Sequence, residues 1–162
     1  MSKVVIGVMG AGLATSEELQ LAYDLGKAIA KNNWVLLTGG RKAGVMDAAS
    51  RGAKSADGLV VGILPGSDTA FLSSAVDIAI VTDMGNARNN INVLSCDVVI
   101  ACGMGLGTAS EVALALKNHK PVILLNQSHL TKQFFTSLTT ENLFSVSTVE
   151  EAIATVREIL NL

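Results

Sequence analysis

A buried strand that runs directly into a glycine-rich loop and a helix start is the feature of this sequence that most restricts its fold. Residues 98–101 are all apolar, which is typical of a parallel strand covered on both faces. Gly103, Gly105 and Gly107 follow, and glycines let a loop turn tightly and expose its N–H groups. Thr108 is predicted to open the helix. Such a loop favours phosphate, because the first-turn N–H groups of a helix have no internal partners.

The same alternation of strand and helix runs through the rest of the chain. It indicates an α/β fold: a Rossmann-like, doubly wound, mostly parallel sheet of about six or seven strands with helices on both faces. The 162 residues contain no internal repeat or linker, and we predict one domain. The predicted strands cover residues 4–8, 34–38, 59–64, 77–82, 98–101, 121–125 and 143–146, and the predicted helices residues 15–31, 45–53, 88–96, 108–116, 129–138 and from 148 onward.

Two further glycine loops follow predicted strand ends. One contains Gly10 and Gly12, and the other, residues 39–44, contains Arg41. Ligands of doubly wound sheets bind beyond the carboxyl ends of the strands, near the switch in strand order, so we expect all three loops to converge on one rim. The candidate phosphate- or ligand-binding residues are Gly10, Gly12, Gly39, Gly40, Arg41, Gly103, Gly105, Gly107 and Thr108.

None of these loops matches the common nucleotide-binding fingerprints. After Gly10 and Gly12, Thr15 stands where a dinucleotide-binding loop has its third glycine. Thr38 and Gly39 stand where an acidic residue would bind ribose, which disfavours a nicotinamide dehydrogenase. No Gly-Lys-Ser/Thr sequence follows the glycines, so the usual kinases and ATPases are disfavoured as well.

Two charged residues are candidates for ligand binding. Arg88 is predicted to open a helix, where the helix dipole disfavours a cation, and this misfit favours a ligand-binding role. Glu111 lies close enough to the third loop to face its ligand. Thr108 and Glu111 also have the spacing of a capping box, in which the carboxylate satisfies the helix end. Both interpretations of Glu111 remain open.

Charge and hydropathy limit the partners of this chain. The formal net charge of −2 argues against a nucleic-acid polymer, which calls for a basic face. No apolar run reaches the roughly 20 residues of a membrane helix, and residues 1–7 lack the plan of a signal peptide. Cys96 and Cys102 have neither metal-ligand nor disulfide spacing. We therefore expect a cytoplasmic protein with no membrane partner and no metal.

The composition also predicts self-association. Hydrophobic residues make up 49% of the chain, and residues 109–116 are apolar nearly all round the predicted helix. A helix of this kind must be covered on more than one side. We expect a homodimer or homotetramer with this helix at the subunit contact.

Three motifs together resemble those of a known superfamily. Residues 103–111 resemble its glycine-glycine-x-glycine-threonine-x-x-glutamate signature, and residues 39–46 its second glycine motif. Residues 88–90, ahead of 95–100, are similar to its arginine-bearing helix. The superfamily includes the Lonely-guy phosphoribohydrolases, formerly described as lysine decarboxylases, and the molybdenum cofactor carrier proteins. The similarity extends over residues 4–125.

The resemblance implies two alternative functions. The carrier-like branch implies a small protein that binds a phosphorylated small molecule, either a nucleotide or a molybdopterin-type cofactor, with no covalently bound cofactor. The enzymes imply hydrolysis of the N-glycosidic bond of a nucleoside 5′-monophosphate, which releases the base and ribose 5-phosphate. In that case Gly105, Gly107 and Thr108 would hold the phosphate, and Arg88 and Glu111 would be catalytic.

Two departures from the enzyme pattern favour the carrier-like branch. Residues 102–104 are Cys-Gly-Met, whereas the enzymes have proline-glycine-glycine at these positions. Arg88 and Asn89 stand where the enzymes have an arginine-lysine pair. Residues 61–66 also resemble the carrier-like branch. The predicted function is therefore ligand binding, and phosphoribohydrolase activity is the alternative.

Overall fold

The computed structural model describes residues 3–162, and the prediction about a signal peptide in residues 1–7 therefore falls partly outside the described range. Within residues 3–162, seven strands alternate with six helices, except that no helix separates the third strand from the fourth. A 3-10 turn (Gly85–Ala87) leads into the third helix. The strands are β1 (Val5–Met9), β2 (Val35–Thr38), β3 (Val60–Leu64), β4 (Ile78–Val81), β5 (Val98–Cys102), β6 (Val122–Leu125) and β7 (Leu143–Val146). The helices are α1 (Ser16–Lys31), α2 (Gly44–Lys54), α3 (Arg88–Leu94), α4 (Leu106–Lys117), α5 (His129–Leu138) and α6 (Val149–Leu160).

The strands form one parallel sheet in the order β4-β3-β2-β1-β5-β6-β7. The chain builds outward from β1 in one direction through β4, then crosses back to place β5 on the other side of β1. The switch in strand order therefore lies between β1 and β5. This architecture confirms the predicted Rossmann-like α/β fold.

Alternate residues of the central strands pack into two separate hydrophobic cores, one on each face of the sheet. In β1, Ile6 and Val8 pack under α1, α2 and α6, whereas Met9 joins the core on the opposite face. In β5, Ile100 and Val99 divide in the same way. Successive side chains of a strand point to opposite faces, so a strand buried on both sides must be apolar throughout. This is why residues 98–101 form an unbroken apolar run.

Helices α1 and α2 approach each other closely enough that only glycine fits at two contact points. A Cβ atom on Gly26 of α1 would overlap the carbonyl group of Ala49 in α2. A Cβ atom on Gly52 of α2 would likewise overlap the carbonyl group of Tyr23 in α1. These two glycines therefore set the distance between the helices, and they bring the loops that precede α1 and α2 close together.

The helix starts agree with the sequence except at α4. Thr15 caps α1 in a capping box with Glu18, and Thr148 caps α6 in a second capping box with Glu151. The prediction that Thr108 opens α4 is wrong, because the backbone is already helical from Leu106 and the N-cap residue is Gly105. The carbonyl of Gly105 accepts a hydrogen bond from the Ala109 N–H at 2.8 Å. Thr108 thus lies within the first turn of the helix.

This shift removes the capping-box interpretation of Glu111. With Gly105 as the N-cap residue, Glu111 lies beyond the first turn and cannot reach back to cap it. Its carboxylate bonds to a neighbouring helix instead.

Among residues 3–162, none of the helices has both the length and the apolar character needed to cross a lipid bilayer.

Candidate functional site

A cavity of about 200 Å³ opens at the carboxyl ends of β1, β2 and β5, beside the switch in strand order. The three glycine loops converge there, as expected for the rim of a doubly wound sheet. Arg88 of α3 and Glu111 of α4 face the same cavity. The candidate loop residues that line it are Gly10, Gly12, Gly39, Arg41, Gly105, Gly107 and Thr108.

Two candidate glycines, Gly40 and Gly103, do not line the cavity. Both adopt the left-handed backbone region, with φ of +74° and +71°, where residues with a side chain are strained. Gly40 also packs against the backbone of Gly62, and Gly103 against the side chain of Glu18. They turn the loops so that the neighbouring residues reach the cavity.

The N-terminus of α4 forms one wall of the cavity and carries unpartnered polar groups. Its N-cap residue, Gly105, supplies no side chain to bond the first-turn N–H groups. Thr108, only 2% exposed, has a hydroxyl oxygen without a hydrogen-bond partner among residues 3–162. Uncapped N–H groups and the positive end of the helix dipole make this wall attractive to an anion.

Arg88 places a buried positive charge in the same cavity as that helix end. The side chain is 6% exposed, and its guanidinium and the sulfur of Met46 both lie against Gly39. The Nε atom has no hydrogen-bond partner within the described chain. Burial lowers the pKa of Arg88, against the attraction of Glu111, but an arginine stays protonated at physiological pH. The cavity therefore holds a cation whose hydrogen-bonding capacity is not used by the protein itself.

Glu111 is the carboxylate of the site and is held by α3. It is 6% exposed, and its Oε1 atom accepts a hydrogen bond from Asn92 Nδ2 at 2.9 Å. Burial raises the pKa of Glu111, although the Asn92 bond and the charges of Arg88 and Arg41 act in the opposite direction. A buried carboxyl whose pKa is shifted by its surroundings, and which lies in a cleft, is a candidate for proton transfer.

Comparison with known proteins identifies the family. The model of the SLOG cluster4 family matches residues 3–153, which is nearly the whole chain. The chain belongs to the SLOG cluster4 family. The resemblance to the Lonely-guy and molybdenum cofactor carrier superfamily, inferred above from three short motifs, is thereby confirmed.

Solved structures of high similarity include two kinds of molybdenum cofactor protein. The molybdenum cofactor binding protein of the phototrophic bacterium Rippkaea orientalis is 58% identical, with a TM-score of 0.97 over 99% of each chain. The molybdenum cofactor carrier protein of Chlamydomonas reinhardtii is 51% identical, with a TM-score of 0.95 over 99% of this chain and 100% of that one.

One protein of similar sequence is named as a phosphoribohydrolase, the alternative activity. The cytokinin riboside 5′-monophosphate phosphoribohydrolase of Rhodococcoides fascians is 30% identical over 160 residues, covering 85% of this chain and 80% of the relative. Both functions that the motifs implied are therefore represented among similar proteins.

Sequence reasoning missed two residues that build the site of this SLOG cluster4 protein. Asn92, which is fully buried, holds Glu111; it lies one helical turn after Arg88, and that spacing was the available signal. Gln127, after β6, donates from Nε2 to the carbonyls of Ala101 at 3.1 Å and Gly103 at 3.0 Å. It fixes the end of β5 ahead of the glycine loop. No sequence pattern distinguishes Gln127 from an ordinary loop residue.

Cys102 lies at the end of β5 without facing the cavity. Burial raises the pKa of its thiol to about 12, so the reactive thiolate is absent at neutral pH. The thiol donates to the carbonyl of Glu18 at 3.7 Å. Cys102 is therefore a buried core residue without a reactive thiol.

Within residues 3–162, no group of three or more His, Cys, Asp or Glu side chains is placed to share a metal ion.

Replacing Glu111 with glutamine is expected to increase the free energy of unfolding at neutral pH. Burial raises the pKa of Glu111, so the folded protein binds this proton more tightly than the unfolded chain does. The wild type then gains stability as the pH falls through the raised pKa, whereas Glu111→Gln does not. Urea denaturation at neutral and mildly acidic pH should show the advantage of the variant shrinking as the pH falls. A difference independent of pH would contradict this expectation.

Proposed function

We propose that this protein binds a phosphorylated small molecule, a nucleotide or a molybdopterin-type cofactor, and holds it as a carrier. One observation carries the proposal. The uncapped N-terminus of α4, the unpartnered hydroxyl of Thr108 and the buried charge of Arg88 all face one cavity. Buried polar groups are ordinarily hydrogen-bonded, so this set indicates a ligand that supplies oxygen atoms and negative charge.

The backbone at Gly105 supports the same assignment. Its φ of −148° is extended backbone that any residue adopts. A Cβ atom added there would meet little but the Cβ atom of Ala11, at 3.4 Å. The fold therefore does not require a glycine at this position. A phosphate that approaches the backbone N–H groups of α4 does require one, because a side chain would occupy the space it needs.

The carrier function is favoured over the enzyme by the extent of similarity. The two molybdenum cofactor proteins match essentially the whole chain at 58% and 51% identity. The phosphoribohydrolase of R. fascians is 30% identical. In this proposal the cofactor is cargo, and its phosphate end lies on the first turn of α4.

A second candidate function, phosphoribohydrolase, is favoured by one specific observation: a carboxylate and a cation face the same cavity. Glu111 would take a proton from the water that attacks the sugar carbon, and the bond from that carbon to the base nitrogen would break. Arg88 would stabilise negative charge developing on the departing base. The base would then leave with a proton, and ribose 5-phosphate would remain.

We also propose that the chain assembles into a homodimer or homotetramer through α4. Leu106 at the start of this helix is 95% exposed, and Leu114 and Leu116 are only half-buried. Covering these side chains with a second copy would remove their apolar surface from water.

Replacing Gly105 with valine is expected to weaken binding of ribose 5-phosphate at least tenfold while leaving the protein folded. The added methyl groups would fill the space over the first turn of α4, and extended backbone accommodates valine. Calorimetric titration measures the affinity, and circular dichroism checks the fold. The matched control is Ala113→Val, an exposed position on the same helix that does not line the cavity. Unchanged affinity in Gly105→Val would reject the phosphate assignment.

Incubation with a panel of nucleoside 5′-monophosphates distinguishes the two candidate functions. A carrier is expected to release no free base, and its thermal midpoint should rise in the presence of a nucleotide or a pterin phosphate that binds the folded state. Chromatography detects the base. Release that disappears in Glu111→Gln would establish the phosphoribohydrolase in place of the carrier.

A further inference from the structure

A second cavity adjoins the candidate site. It has a volume of about 300 Å³, and Arg41 lines both cavities. The walls of the second cavity are mainly apolar, and Lys42 and Asp68 are its other charged residues. Its apolar wall consists of Ala43, Leu64, Pro65 and Phe71.

The wall that carries Phe71 is firmly attached to the second glycine loop. The segment 66–75 lies within the connection from β3 to β4. The Lys42 N–H donates to the carbonyl of Phe71 at 2.7 Å, and the Ser73 N–H donates to the carbonyl of Gly40 at 2.9 Å. The hydroxyl of Ser73, a fully buried residue, donates to the carboxylate of Asp47 in α2 at 2.6 Å. The segment is thus held in place, yet the Phe71 side chain is 77% exposed.

Arg41 links the two cavities electrostatically. A guanidinium nitrogen of Arg41 lies 3.6 Å from the Cβ position of Gly12, on the wall of the first cavity. Its positive charge also acts on the two titratable residues of the first cavity. It adds to the lowering of the Arg88 pKa and partly offsets the rise that burial causes in the Glu111 pKa. No carboxylate among residues 3–162 forms an ion pair with Arg41. Its charge is therefore available to a ligand that reaches from one cavity into the other.

We propose that the ligand spans both cavities, with its phosphate on α4 and a planar aromatic ring against Phe71 in the second cavity. This inference rests on the proposed function and adds the location and chemical class of the part that is not phosphate. The volume of the first cavity is below the range of roughly 300–1,000 Å³ typical of small-molecule sites, whereas the two volumes together lie within it. Phe71 offers an exposed ring for stacking, and Arg41 adds a planar cation between the two parts.

The test compares two probes on the wild type and two variants. Ribose 5-phosphate carries no base. Formycin 5′-monophosphate carries a purine-like ring that is joined to the ribose by a carbon–carbon bond, which hydrolysis of N-glycosidic bonds cannot cleave. Phe71→Ala is expected to lower the affinity for formycin 5′-monophosphate at least about fivefold, because stacking of one base on an aromatic side chain is worth about 1–3 kcal/mol. Affinity for ribose 5-phosphate should stay within about twofold of the wild type, since the sugar phosphate does not reach Phe71.

The controls separate the outcomes. Phe134→Ala removes another exposed phenylalanine, on α5, which lines neither cavity and should change neither affinity. Phe71→Tyr keeps the stacking face and should retain binding. If ribose 5-phosphate binds but Phe71→Ala leaves formycin 5′-monophosphate unchanged, or weakens both probes equally, the second cavity does not hold the ring. If neither probe binds the wild type, the assignment of a phosphate to the first turn of α4 fails, and this inference fails with it.

Discussion

Replacing Arg88 with glutamine is expected to reduce the affinity for ribose 5-phosphate about a hundredfold. Glutamine retains much of the bulk but removes the buried positive charge from the cavity that the start of α4 also lines. A hydrogen bond from a charged group contributes roughly 1.5–3 kcal/mol, which corresponds to about ten- to a hundredfold in affinity. The remaining charge of Glu111 would then repel the phosphate, so the effect should lie at the upper end of that range. Calorimetric titration at low and moderate salt measures it.

The matched control for this prediction is Arg51→Gln. Arg51 lies on the surface of α2 and pairs with Asp47 at 3.0 Å, one helical turn away. Arg51 itself is exposed and does not line the cavity, so its removal should not influence binding there. Equal losses of affinity in Arg88→Gln and Arg51→Gln would show that only overall charge matters, and would remove Arg88 from the site.

Replacing Gly26 with valine is expected to reduce the free energy of unfolding by about 3 kcal/mol, the upper end for an overpacked interior position. The side chain would overlap the carbonyl group of Ala49, which is held within the hydrogen bonds of α2 and cannot turn aside. The two helices would have to separate, and the apolar contacts of α1 and α2 with the sheet would be lost in part. Urea denaturation measures the change.

Gly66→Ala provides the control for the helix contact. A Cβ atom at Gly66 meets no other atom within 4 Å, and this glycine is not among those with positive φ. The substitution should therefore change the stability by no more than about 0.5 kcal/mol, as at other surface positions. A comparable loss in both variants would contradict the close-contact explanation.

The sequence was sufficient to predict the sheet, because its signals are local. Residues 98–101 and 122–125 are unbroken apolar runs, and such runs of strand length are typical of parallel strands. The capping boxes of Thr15 and Thr148 likewise depend only on residues three positions apart. The convergence of the glycine loops follows from topology, since parallel strands end at the same edge.

The partners of the site residues could not be predicted in the same way. Gly103 and Gly105 are equivalent in the sequence, but one takes a left-handed turn outside the cavity and the other begins α4. Asn92 and Glu111 are 19 residues apart and meet only because α3 packs beside α4. The second cavity depends on contacts between segment 66–75 and the second glycine loop, which leave no periodic pattern.

The position of β1 between β2 and β5 has a consequence for the order in which the protein acquires its site during synthesis. The Val5 N–H bonds to the side chain of Asp97, which is 92 residues later in the chain. A nascent chain that has emerged from the ribosome only as far as β4 carries two of the three glycine loops but lacks α4, whose first turn forms one wall of the cavity. The cavity is therefore complete only after α4 has left the exit tunnel.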